Sequence, residues 1–141
     1  MLSPLTMIAS DGFDVLDGKG GHPRSAGTFS RILAKYVREE KSQEKSVSLM
    51  DAIRKMTLMP AQRLEARVPS MRNSGLIKVG ADADLTLFDP TQIRDQSTFE
   101  KPAQYSTGVR YVIVNGQLAV REGKPIETTH AGQPIRAPIS R

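Results

Sequence analysis

Two apolar runs, Tyr111–Val114 and Gln117–Val120, are separated by Asn115 and Gly116 alone. Asn and Gly tolerate the positive φ angles of a type I′ turn, so the pair is predicted as a β-hairpin. Upstream, Asp84-Leu85-Thr86-Leu87-Phe88-Asp89 alternates and is closed by Pro90, which predicts a further strand. Turn residues surround Leu76, Ile77 and Val79 between Arg72 and Gly80, and Thr91 to Thr107 is polar and irregular. From Pro125 to Arg141 the chain reads as a tail.

The preceding part has a different period. Phe29, Ile32, Leu33, Tyr36 and Val37 recur at helical spacing, with Thr28 placed to cap the start. The polar run Glu39 to Ser46 then acts as a connector. A second helix is marked by Ser48 and Asp51 at capping-box spacing, with Leu49, Ala52, Ile53 and Met56 as its buried face. Pro60 inside a helix would cost about 3 kcal/mol. It is therefore expected to open a third short helix over residues 61–66.

At the start, Leu5, Met7, Ile8 and Ala9 form an apolar run that stops at Ser10-Asp11-Gly12, as a buried strand would. No second strand lies near it. Residues 12–27, with glycines at 12, 18, 20, 21 and 27, are expected to be a loop of a length that is usually functional or disordered. The order is one strand, a long loop, two or three helices and then short strands. That is not a closed architecture, and the lone strand and amphipathic helices need a surface to cover them.

A chain of 141 residues, 38% hydrophobic and 25% charged, has the composition of one globular unit. The net charge of +5 raises a nucleic-acid partner. Its basic residues are scattered from Arg24 to Arg141 and are not interleaved with stacking aromatics, which argues against that partner. With no cysteine, disulfides, thiolate-ligated zinc and a cysteine nucleophile are excluded. This usage fits a reducing compartment, so the expected location is cytoplasmic. Residues 1–9 lack the basic region of a secretory signal, and no stretch approaches the roughly 20 apolar residues of a membrane span.

Three segments then act together. They are Met7-Ile8-Ala9-Ser10-Asp11-Gly12, His22-Pro23-Arg24-Ser25-Ala26-Gly27-Thr28-Phe29, and Gly75-Leu76-Ile77-Lys78-Val79-Gly80-Ala81-Asp82-Ala83-Asp84-Leu85. Their order resembles the C-terminal end of the amidohydrolase superfamily, and most of all the N-acyl-D-amino-acid deacylases, or D-aminoacylases. Asp89-Pro90, Thr98-Phe99-Glu100 and Val112–Gly116 extend the likeness over nearly the whole chain. The resemblance implies an α/β fold: the C-terminal part of a metal-dependent hydrolase (β/α)8 barrel plus part of a small β-sandwich. Residues 1–70 would be the end of the barrel, with residues 5–11 as strand eight and 28–66 as the helices that follow. Residues 71–141 would be the C-terminal share of the sandwich and a tail.

By the same resemblance Asp11 is the strand-eight aspartate, a catalytic carboxylate that contacts the metal or its bound water and moves a proton. Barrel enzymes carry their chemistry at such strand ends. His22 and Arg24 would be substrate-binding residues, Arg24 offering its fork of donors to the substrate carboxylate. The implied cofactor is zinc and the implied substrate a small N-acyl-D-amino acid. Each residue also has a plainer reading. Asp11 before glycine is a turn residue, His22 an exposed loop histidine, and Arg24 a surface charge pairing with Asp14 or Asp17. Asp82 and Asp84 belong to a turn rather than a metal pair, and His130 to an exposed tail. Only His22 and His130 are present as histidines, so the His-x-His pair and further ligands of the family are missing. The chain is therefore expected not to hold zinc stably alone. It reads as a truncation, a gene fragment or one piece of a split enzyme, inactive without a complementary chain. The alternative is a non-catalytic interaction module. On either reading Met7, Ile8, Phe29, Ile32 and Ile53 are expected to be exposed.

Overall fold

The computed structural model describes residues 2–12, 21–40, 42 and 45–138, so Asp14 and Asp17 lie outside the described residues. Helix α1 (Pro23–Arg31) runs directly into a wider π-helical stretch (Ile32–Glu39). Helices α2 (Leu49–Met56) and α3 (Leu58–Glu65) and a 3-10 turn (Pro69–Asn73) follow. The strands β1 (Leu85–Phe88), β2 (Val109–Val114), β3 (Gln117–Arg121) and β4 (Lys124–Pro125) form one antiparallel sheet in the order β1-β2-β3-β4. The fold is thus α/β with an antiparallel sheet. No described helix is long and apolar enough to cross a membrane.

The hairpin is as expected. Asn115 and Gly116 take φ 47° and 78°, and Val114 pairs with Gln117. A second turn of the same kind lies at Glu122 and Gly123, φ 51° and 77°, and pairs Arg121 with Lys124. This corrects the expected tail. Glu-Gly is a weaker turn signal than Asn-Gly, and the register of β3 decides it. Beyond β4 the backbone N–H of Ile126 donates to Ala119 O (2.8 Å) and Ala131 is buried, so this segment lies along β3.

The glycine-aspartate segment 75–85 serves the sheet. Asp84 Oδ1 accepts from the Asn115 backbone N–H (2.6 Å), and the Gly116 N–H donates to Ala83 O (3.0 Å). Asp82 Oδ2 accepts from the Ser74 hydroxyl (2.8 Å). Both carboxylates therefore secure turns, as their position before a strand suggests. Gly75 takes φ +73°, and a Cβ there would stand 2.8 Å from the Thr57 backbone, so this turn packs directly on the start of α3.

The helices and the later segment share a core. Leu33, Val47, Ala52 and Ile93 are its buried members, with Val37, Leu49, Met56, Phe88 and Val109 packed around them. Arg38 Nη1 ties the two parts further, donating to Pro90 O (2.9 Å) and Ile93 O (2.8 Å). The predicted buried face of α2 holds, and Ser48 is its cap: its Oγ accepts from the Asp51 N–H and donates to Asp51 Oδ2, both at 3.1 Å. Helix α3 opens at Leu58 rather than at Pro60. Proline still sits in the first turn, where its missing N–H has no helical partner to lose.

Three expectations for the first forty residues change. Residues 6–12 form no strand. A strand needs a ladder, and among the described residues the Ile8 N–H instead meets Lys55 O, at 3.1 Å. Ile8 is buried while Met7 and Phe29 are exposed, so the expected apolar surface is only partly present. Finally, α1 begins inside the segment predicted as loop. Its cap is His22, not Thr28, whose hydroxyl donates to Arg24 O within the helix (2.7 Å).

Candidate functional site

His22, Pro23 and Arg24 are the N-cap and first residues of α1. Proline fits the first helical position because its fixed φ suits the helix and no N–H is lost. His22 Nδ1 accepts the Arg24 backbone N–H at 3.1 Å. The His22 ring also stands edge-on to Phe99, with centroids 5.1 Å apart. Proline directly after a polar residue was the available signal for this helix start, and the glycine-rich surroundings masked it.

The segment 6–12 ends beside that helix. A Cβ on Gly12 would lie 2.1 Å from the Ser25 hydroxyl, so glycine permits this close approach. The result is that Asp11 Oδ2 comes 3.7 Å from Arg24 Nη1. The side chains are 82% and 54% exposed, so the attraction is screened by water and leaves both groups accessible. Asp11, His22 and Arg24, separated by up to thirteen positions, are thereby gathered at one end of α1.

A cavity of about 360 Å³ opens there, lined by His22, Arg24, Thr28, Arg31, Phe99 and Glu100 among others. Residues 97–100, from the irregular stretch before β2, form its far wall. Arg31, on α1 itself, and Phe99 and Glu100, which only the chain's return path brings to α1, have no assigned part in a site from the sequence alone. Arg31 is held by Asp95, Nη2 to Oδ2 at 2.8 Å. Glu100 is kept below the ordinary carboxylate range by hydrogen bonds from its own backbone N–H and from the Thr98 hydroxyl. The cavity thus mixes a fixed carboxylate with Arg24, whose one charged partner among the described residues is Asp11. An anionic ligand here would be drawn to Arg24.

Among the described residues no group of three or more histidine, aspartate or glutamate side chains could hold a metal ion. Catalytic zinc takes three protein ligands and a water. Asp11 faces a cation rather than further ligands, so these residues by themselves do not fit a zinc centre.

The comparisons with known proteins agree in one direction. The model of the Amidohydrolase family matches residues 5–120. The N-acyl-D-aspartate deacylase of Alcaligenes xylosoxydans xylosoxydans is 39% identical over 132 residues, covering 92% of this chain and 24% of its own length. A solved D-aminoacylase, described with a binuclear metal center, superposes with a TM-score of 0.77 at 33% identity, over 92% of this chain and 25% of that one. The N-acyl-D-glutamate deacylase of Bordetella bronchiseptica was solved with zinc and a phosphonate mimic of the tetrahedral intermediate. It matches with a TM-score of 0.61 at 33% identity, over 74% and 21% of the two chains. The chain therefore spans about a quarter of the length of these relatives, and it belongs to the amidohydrolase family.

Proposed function

We propose that this chain contributes one edge of the active site of a deacylase that hydrolyses the linear amide bond of N-acyl-D-amino acids. The observation that carries the reading is the convergence of Asp11 and Arg24 (3.7 Å) at the end of α1, beside a cavity that His22 and Arg24 line. In this reading Asp11 accepts a proton as water adds to the amide carbonyl and returns it to the departing amine. Arg24 turns from Asp11 to the substrate carboxylate, a pairing its planar fork suits. His22 holds the first turn of α1, and so the placement of Arg24. Residues 1–70 correspond to the end of a (β/α)8 barrel, with residues 6–12, which form no strand here, in the place of its last strand, and 71–141 to part of a small β-sandwich. Any zinc ligand beyond Asp11 comes from outside the described residues, from the rest of the barrel, whether that lies on the same polypeptide or on a complementary chain.

The test is a deacylase assay of the purified chain on N-acyl-D-amino acids with zinc added. No robust turnover is expected, since one carboxylate is not a ligand set; robust turnover would overturn the need for a partner. In an assembled, active preparation, Arg24→Gln is expected to raise KM by about 10- to 100-fold, the worth of a lost charge-assisted hydrogen bond. An unchanged KM would remove Arg24 from substrate binding. The second reading, a non-catalytic module docking on a partner, draws on the exposed apolar side chains of Leu5, Ile77, Val79, Phe99 and Tyr105.

A further inference from the structure

Lys55 lies in the last turn of α2 and is 3% exposed, a rare state for lysine. Its ammonium group has three N–H donors and meets three acceptors: Ser3 O (2.5 Å), Thr6 O (2.9 Å) and Thr6 Oγ1 (3.3 Å). No carboxylate pairs with it among the described residues. The negative end of the α2 dipole helps to offset the buried charge. Its main chain is used as well, because Lys55 O accepts the Ile8 N–H at 3.1 Å. Helix periodicity gives no reason for a buried lysine on a face otherwise built from Leu49, Ala52 and Met56. The reason lies in the segment it grips: residues 2–12 have no ladder, so their polar backbone groups need another partner.

We propose that Lys55 is a positioning residue for Asp11, clamping the segment Ser3–Ile8 through its ammonium group and its backbone carbonyl. Asp11 follows Ile8 by three residues. Downstream, Gly12 is seated against Ser25. The carboxylate is thus set between two anchors, one on α2 and one on α1. The significance for catalysis rests on the deacylase reading of Asp11, whereas the clamp itself does not.

Backbone amide hydrogen exchange, read by NMR on the 141-residue chain, tests the clamp. In Lys55→Met and Lys55→Gln the Ile8 amide is expected to exchange about tenfold faster or more, while amides of α2 and the β2–β3 hairpin keep their protection. Proximity of Asp11 to Arg24, followed by NOEs, is expected to be lost with it. Lys55→Arg, which keeps a cation with several donors, is expected to restore both in large part. Unchanged Ile8 exchange overturns the proposal. So does a uniform rise across the chain, unfolding of both neutral variants, or a failure of arginine to rescue, since each marks Lys55 as a general structural residue. Because none of these readings involves turnover, an Asp11 that proves dispensable for activity would overturn the deacylase reading and leave the clamp standing.

Discussion

Asp11→Asn is expected to lower kcat for N-acyl-D-amino acids by about 10²- to 10⁴-fold in an active assembly containing this chain, the range for loss of a positioned proton carrier. Asparagine keeps the shape but cannot take up and return the proton. KM is expected to change little, because Arg24 and the cavity remain. Stability should also be nearly untouched: the carboxylate is 82% exposed, and its 3.7 Å pairing with Arg24 is of a kind worth under about 1 kcal/mol. Steady-state kinetics on the assembly, with thermal unfolding of the same variant, separates these effects. Full activity with intact partner binding would favour the non-catalytic module instead.

The second large effect is on the fold. Gly108→Ala is expected to destabilise the chain by about 3 kcal/mol or more, from left-handed strain and overpacking together. Gly108 takes φ +79°, and a Cβ there would stand 2.4 Å from Ile93 N, 2.5 Å from Ile93 Cα and 2.7 Å from Gln92 C. These are backbone atoms beside the buried Ile93 side chain, so they have little freedom to move. The Gly108 carbonyl also accepts the Asp89 N–H at 2.8 Å, which fixes the approach from the other side. At this size the loss corresponds to a fall in Tm of roughly 10 °C. Gly116→Ala is the control. Its φ is nearly the same, +78°, yet nothing lies within 4 Å of the added methyl, so only strain of about 1–2 kcal/mol is incurred. Calorimetry that found equal losses at the two positions would refute the role of close packing at Gly108.

The site was legible to different degrees. Asp11 ends an apolar run, and its flanking motif is local, so its candidacy needed no tertiary information. Arg24 and His22 were found through the His-Pro-Arg segment, but their setting was read as loop. Glycines at 20 and 21 weighed against a helix, while the Pro23 start that tertiary packing supports is a one-residue signal. Lys55 could not have been found. Lysine on a helix is ordinarily a solvated residue, and its burial depends on a segment 49–52 residues away in sequence. Phe99 and Glu100 belong to the segment that extends the family likeness, yet their place in the site was hidden for the same reason: nothing in an irregular stretch reveals which helix it will pass.

What the sequence determined by itself is whatever depends on neighbours in the chain. The Asn115-Gly116 turn, the Ser48 cap, the apolar face of α2 and the alternation of β1 follow from φ preferences, short-range hydrogen bonds and periodicity, each complete within a few residues. Tertiary structure decided the rest. Register along β3 made a turn of Glu122 and Gly123, contact with α2 left residues 6–12 outside any strand, and the passage of residues 97–100 across α1 formed the cavity. In each case the free energy comes from partners distant in sequence, and a local pattern carries no record of them.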